Sequence, residues 1–275
     1  MSIRSTVARL LPKKVISSLG RLQFKVPLLA PIIRWGAKGV TSGEGTIKYG
    51  IGKGLKFDAS GGFPGYALGT TEIDEQELVA SLIKPGEVFY DIGANVGFYT
   101  TLVANLVGPL GKVYGFEPFP ESAAAARANA ARNGFNQVKI YEVALSDQSG
   151  EATLTTDGAS AVFRLDASDR SGGVKKTLQV KLSTLDEIVA NENLAGPALV
   201  MIDVEGAEFK VLRGMKETIR AHRPKILCEV HWLSSDDLLA CMDEVGGPVK
   251  YRVERMDGKP LSKEIERFHV VMRPE

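Results

Sequence analysis

A chain of 275 residues with 44% hydrophobic and 24% charged residues can bury one sizeable core, and this excludes a protein disordered throughout. Its net charge of +1 conceals a split: residues 1–43 hold eight basic side chains and no acid, leaving 26 basic against 33 acidic residues in the remainder. The two cysteines, Cys228 and Cys241, fall in segments that read as strand and helix, so two buried thiols in a reducing, cytoplasmic setting are expected rather than a disulfide.

The basic N-terminal arm, expected over residues 1–44, places Val7, Leu10, Leu11, Val15, Ile16 and Leu19 at near-helical spacing. A basic amphipathic helix of this kind can touch an anionic membrane surface, while the same pattern also suits an arm packed on the rest of the chain. The apolar run Val26–Ile33 contains Pro27 and Pro31 and is too short to span a bilayer, and no signal peptide is expected. A single domain is expected over 45–275. It opens with a β-hairpin over 45–58, whose glycines and lysines lack the Gly-Lys-Ser/Thr of a phosphate loop.

Helical spacing then runs from Ile73 to Ile83 and ends at Lys84-Pro85-Gly86. Strand and helix alternate through Val88–Asp91, Phe98–Val107, Val113–Glu117, Glu121–Asn133 and Val138–Ala144. Two successive βαβ units predict parallel strands with right-handed crossovers and helices on both faces. An inserted hairpin is expected over 150–182. Beyond it come a helix at Leu185–Asn191, a strand at Ala198–Asp203, helices within Ala207–His222, a strand at Ile226–His231 and a helix near Asp236–Val245. Closing strands around Val249–Arg255 and Phe268–Met272 complete a seven-stranded, mostly parallel α/β sheet, a Rossmann-like arrangement.

Ligands of such sheets sit beyond the carboxyl ends of the strands. Asp91, Glu117, Ser146, Asp147, Asp203 and His231 are all expected at that edge. The loop after the first strand reads Gly93-Ala94-Asn95-Val96-Gly97-Phe98, with Asn95 and Phe98 where a dinucleotide loop needs its second and third glycines. Asp91 beside that loop would repel a diphosphate but accept hydrogen bonds from an ammonium group. An amino acid head on a phosphate-free nucleoside fits, and S-adenosylmethionine is the expected cofactor. Glu117 stands about 26 residues on, near the spacing at which an acid grips a ribose diol; its other reading is a solvent-facing acid at a strand end.

Asp203 is placed to face a transferred methyl, where it could orient an acceptor hydroxyl, act as base or hold a divalent ion. Metal dependence is open. Glu205 admits a catalytic or a loop role, and Glu208 is accounted for by the helix dipole. His231 is either a general base or a structural histidine bonded to Asp203 or a loop carbonyl. No zinc site is expected from Cys228, Glu229 and His231.

The stretches Asp91–Thr100, Phe116-Glu117-Pro118, Ala144–Asp147, Ile202–Glu208 and Glu229-Val230-His231 together resemble the FkbM-type S-adenosylmethionine-dependent methyltransferases. The resemblance implies a class I methyltransferase fold and O-methylation of a hydroxyl on a small molecule or glycan, with no nucleic-acid partner. It assigns the methionine end of the cofactor to Asp91, Gly93, Asn95 and Gly97, with Tyr99 in the same stretch, the ribose to Glu117 and the adenine to Ala144 and Leu145. One departure is Met201, where family members often carry lysine. Methyl transfer to nitrogen or a carboxylate is the alternative chemistry, and a non-catalytic cofactor-binding module of a membrane-associated glycan system is the alternative class. Oligomeric state and acceptor identity are not legible.

Overall fold

The computed structural model describes residues 44–60, 62, 65–156 and 176–275. The basic arm, apart from Glu44, and residues 157–175 within the inserted hairpin lie outside the described residues. The chain opens with β1 (Glu44–Thr46) and β2 (Lys56–Asp58), paired antiparallel as the expected hairpin. Then follow α1 (Ile73–Leu82), β3 (Val88–Ile92), α2 (Phe98–Val107), β4 (Lys112–Phe116), α3 (Pro120–Arg132) and β5 (Val138–Tyr141). Pro120 opens α3, where its missing N–H costs nothing.

The second half contains β6 (Ala144–Leu145), β7 (Gly150–Thr156), β8 (Lys176–Ser183), α4 (Leu185–Glu192), β9 (Leu199–Ile202), α5 (Glu208–Arg213) and α6 (Lys216–His222). It ends with β10 (Lys225–Leu233), α7 (Ser235–Gly246), β11 (Tyr251–Arg255) and β12 (Glu266–Pro274). Ser234 and Asp237 form a capping box that fixes where α7 begins.

The main sheet has seven strands in the order β11-β12-β10-β9-β3-β4-β5. The five strands from β10 to β5 pair in parallel, and β12 pairs antiparallel with both β10 and β11. Strand order therefore reverses at β3, which lies between β4 and β9, and a crevice opens beyond the carboxyl ends of strands at such a point.

The period-two alternation of each strand sends its residues to opposite faces. Tyr90, Ile92, Val200, Ile202, Ile226, Cys228 and Val230 pack with residues of α5, α6 and α7 on one side. Phe89, Leu199, Met201, Leu227 and Val271 pack with residues of α1 and α2 on the other. Asp91 shares the second face with Phe89 and pairs in register with Met201. A buried acid thus stands beside apolar side chains directly under the crevice.

The expected single strand over Val138–Ala144 is in fact divided. Tyr141 ends β5, and Ala144–Leu145 leave the main sheet to pair in parallel with Leu182–Ser183, in a separate three-stranded sheet ordered β6-β8-β7. Both cysteines are free and buried, Cys228 in β10 and Cys241 in α7. Among the described residues, no helix is long and apolar enough to cross a membrane.

Candidate cofactor and methyl-transfer site

Glycine shapes the floor of the crevice. Gly93, at φ +87°, lies so near the segment after β9 that a Cβ there would come within 1.9 Å of the Asp203 carbonyl oxygen. Backbone hydrogen bonds hold both strands to this approach: Asp203 N–H donates to Ile92 O at 2.9 Å, and Gly93 N–H donates to Phe116 O at 3.0 Å. The loops after β3 and β9 can meet only because residue 93 has no side chain.

A cavity opens between these loops. Its lining includes Asp91, Gly93, Asn95 and Tyr99 from β3 to α2, Glu117 beyond β4, Ala144 and Leu145 of β6, and Met201, Asp203 and Glu205 from β9 onward. All the residues assigned to the cofactor converge on it except Gly97. That glycine, at φ +79°, faces α3 instead, where a Cβ would strike Ala126 at 2.8 Å, so its role is to let α2 begin close against α3. Ser146 and Asp147 do not join the lining. Ser146 N–H donates to Ser183 O, and its hydroxyl bonds Asp147, an exposed residue, because β6 has turned away from the main sheet.

Glu117 is buried, not solvent-facing. Asn95 N–H donates to its Oε2 at 2.8 Å and Phe119 N–H to its Oε1 at 2.9 Å. Each oxygen keeps a second lone pair, enough for a pair of vicinal hydroxyls. Burial pushes its carboxyl up to about 7 against these two hydrogen bonds, with nearby Asp91 adding to the rise. Asp91 accepts from Thr100 Oγ1 at 2.5 Å, and burial brings its carboxyl up to about 6. Tyr99 O–H donates to Glu72 at 3.0 Å.

Apolar side chains form the wall beside Ala144 and Leu145. Phe116, Val143 and Leu154 complete it, Leu154 coming from the inserted hairpin. The donor set suits S-adenosylmethionine: a buried acid for an ammonium, a second for a ribose diol, and an apolar slot for a base. The lining acids would complement a ligand bearing a sulfonium charge, and Asn95 takes the place of the glycine that a diphosphate would need.

The acceptor side is more charged. Asp203 is half-buried with a buried, unbonded Oδ1, and burial, then Glu229, Glu205 and Glu72, raise its carboxyl well above the usual range. His231 is 2% exposed and does not line the cavity. Its partner is neither Asp203 nor a loop carbonyl: Nδ1 lies 2.7 Å from Oε1 of Glu208, which also accepts the Gly206 N–H. Glu208 is fully buried, so its place in the first turn of α5 is more than a dipole preference.

Sequence reasoning missed further members. Glu229 lies two residues before His231 on the same face of β10, and on the adjacent strand His269 and Arg267 reach it. Burial would raise Glu229, but His269 and Arg267 outweigh it and bring its carboxyl down to about 2. Asn129 of α3 was also missed. Its amide donates to Val96 O and Asp58 O and accepts from Asp58 N–H, tying the glycine loop to the N-terminal hairpin.

Four of the positive-φ non-glycine residues cluster here: Asn95, Glu205 and Trp232 at the strand ends, and Glu72 behind Tyr99. Strain of this kind persists where surrounding structure imposes it, commonly at functional sites.

Residues 91–247 match the family model for the methyltransferase FkbM domain. The chain is 29% identical over 176 residues to 31-O-demethyl-FK506 methyltransferase FkbM of Streptomyces tacrolimicus, covering 54% of this chain and 67% of that protein. It is 28% identical over 166 residues to 2-O-methyltransferase NoeI of Sinorhizobium fredii, covering 54% and 65%. Against hexuronic acid methyltransferase AglP of Haloferax volcanii it is 24% identical over 160 residues, covering 57% and 62%. The chain thus spans about two thirds of the length of these relatives. The matched span contains the strand-end loops and most of the residues around the cavity, and the chain belongs to the FkbM methyltransferase domain family, with the class I S-adenosylmethionine-dependent methyltransferase fold.

Proposed function

We propose that this chain transfers a methyl group from S-adenosylmethionine to a hydroxyl oxygen of a small molecule or glycan. The observation that carries the reading is one cavity shared by Asp91, Glu117, Asp203 and Glu205, in a chain of this family. The named activities of FkbM, NoeI and AglP support hydroxyl and sugar acceptors.

S-adenosylmethionine supplies a methyl group already activated on a sulfonium sulfur. The residues then have three tasks: to hold the cofactor, to align an acceptor oxygen for in-line attack, and to make loss of its proton easy. We assign the first to Asp91, Gly93, Asn95, Tyr99, Glu117, Ala144 and Leu145, and the other two to the edge formed by Asp203, Glu205 and His231. Met201, where the family resemblance leads one to expect lysine, adds an apolar side chain to the cavity wall beside Asp91. The free, buried Cys228 and Cys241 fit a reducing compartment, the cytoplasm being our proposal. The basic arm is proposed to make peripheral contact with anionic lipid.

Calorimetric titration of the full chain with S-adenosylmethionine and with S-adenosylhomocysteine tests the cofactor half. Binding of both is expected, and binding of neither overturns the reading. A methyl-transfer screen tests the acceptor half, with turnover of hydroxylated metabolites or glycans expected. Turnover confined to amines or carboxylates would overturn the O-methyl assignment.

A further inference from the structure

Three donor groups from the β9 and β10 strand ends converge at the cavity wall. Asp203 follows β9, Glu205 lies in the turn beyond it, and His231 stands near the end of β10. One donor atom from each lies within 4.8 Å of the other two. Clustered acids alone carry little weight, but the hydrogen bonding around His231 is specific. Glu208, a buried carboxylate, takes Nδ1. A carboxylate only accepts, so Nδ1 carries the hydrogen and Nε2 of the neutral ring presents a lone pair.

That lone pair is buried and makes no hydrogen bond, as is true of Asp203 Oδ1. Carboxylate oxygens of Glu205 and Glu229 stand 3.4 and 3.8 Å from it. For a neutral ring this is an unfavourable meeting of acceptors. A cation between the groups satisfies them together, and the Glu208–His231 pair has the arrangement of a carboxylate that orients a metal-binding imidazole.

We propose that Asp203, Glu205 and His231 form a binding site for one divalent cation, with Glu208 as the positioning residue for the imidazole. Cis donors around an ion at roughly 2.1 Å stand about 3 Å apart. The His231–Glu205 pair is already near that spacing at 3.4 Å, and the donor atom of Asp203 lies within 4.8 Å of both. One imidazole with two carboxylates suits Mn²⁺ well, with Mg²⁺ the harder competitor. Glu229 is engaged by Arg267 and His269 and stands outside the set.

The consequence, though not the site itself, rests on the methyl-transfer reading. Asp203 and Glu205 line the cavity, so an acceptor hydroxyl can join the open side of the ion's shell and lose its proton to solvent water more readily. This accounts for a histidine that lies behind the wall instead of facing an acceptor directly.

The test is titration of the chelator-treated full chain with Mn²⁺, followed by the paramagnetic resonance of free Mn²⁺, beside calorimetry with S-adenosylmethionine. One Mn²⁺ per chain is expected. Asp203→Asn and Glu205→Gln should each weaken it at least tenfold, and Glu208→Gln by about 10- to 100-fold, with cofactor affinity unchanged. Cofactor binding without Mn²⁺ binding by the wild type overturns the cation site and leaves the transfer reading intact. Mn²⁺ affinity unaltered in both ligand variants overturns it equally. Normal Mn²⁺ binding with no cofactor binding strikes the transfer reading alone.

Discussion

Replacing Glu117 by Gln separates what this acid does for the cofactor from what it costs the fold. Its carboxyl is raised from an ordinary 4.5 to about 7, chiefly by burial. A folded-state value above the unfolded one means the native state holds the proton more tightly. The associated stability is fully present below pH 4.5 and is lost as pH rises through 7. Over pH 5 to 9 the cofactor-free wild type should lose roughly 2.5 kcal/mol through this group, each tenfold change in proton affinity being worth about 1.4 kcal/mol. Glutamine cannot titrate. It also leaves one of the Asn95 and Phe119 N–H groups without its acceptor, a cost of about 1–3 kcal/mol that does not vary with pH. The variant is therefore expected to be less stable than wild type at pH 5 and to match or exceed it at pH 9. The reverse holds for the ligand: losing a charged acceptor should weaken S-adenosylmethionine about 10- to 100-fold. Urea denaturation at several pH values, paired with calorimetry, reads both. Parallel pH profiles for the two proteins would refute the argument that burial perturbs Glu117.

Asp203→Ala should lower kcat by about 10²- to 10³-fold with cofactor affinity within threefold, measured by methyl transfer and calorimetry; normal turnover would remove Asp203 from the acceptor edge. Gly93→Ala drives a Cβ into the Asp203 carbonyl at a positive φ, so a loss of about 3 kcal/mol or more and loss of cofactor binding are expected in thermal melts and titrations. Asn129→Ala removes four side-chain hydrogen bonds at a fully buried site; the one from Arg132 is long at 3.4 Å and the other three are worth about 1 kcal/mol each, so the chain should be destabilised by about 3 kcal/mol in denaturant melts.

What could be read from the sequence was what depends on neighbours along the chain. The alternation of strand and helix is legible because each element carries its own periodicity, and the helix Phe98–Val107 matches its expected bounds to the residue. The loop at Gly93–Gly97 is legible because turn, helix start and adjoining acid are contiguous. Features set by a partner elsewhere were not. The run Val138 to Leu145 is apolar enough for one strand, and only the pairing of Ala144 with Leu182 shows that it changes sheets. Glu208 has a sufficient local explanation as an acid in a first helical turn, which hid its bond to a histidine 23 residues on. Glu229 meets His269 through an antiparallel register that no local pattern encodes. Gly97 shows the converse: a motif glycine whose tight neighbour is a helix, not the ligand.

The carboxyl groups of this crevice share an electrostatic logic. Asp91, Glu117 and Asp203 are all raised by burial, so each is held where its charged form is disfavoured in the empty protein. Nearby cationic side chains are engaged by Glu229, which alone of these acids is lowered. The fold therefore keeps three acids under-compensated at the reversal point of its sheet and concentrates backbone strain at Asn95, Glu205 and Trp232 beside them. A ligand that brings an ammonium, a sulfonium and a ribose diol would relieve the first two, and the proposed divalent ion would relieve the third. On the proposed function, binding energy at this site would come in good part from repairing a deficit built into the empty chain, and removing one of these acids is therefore expected to spare the fold at high pH and weaken the site at every pH.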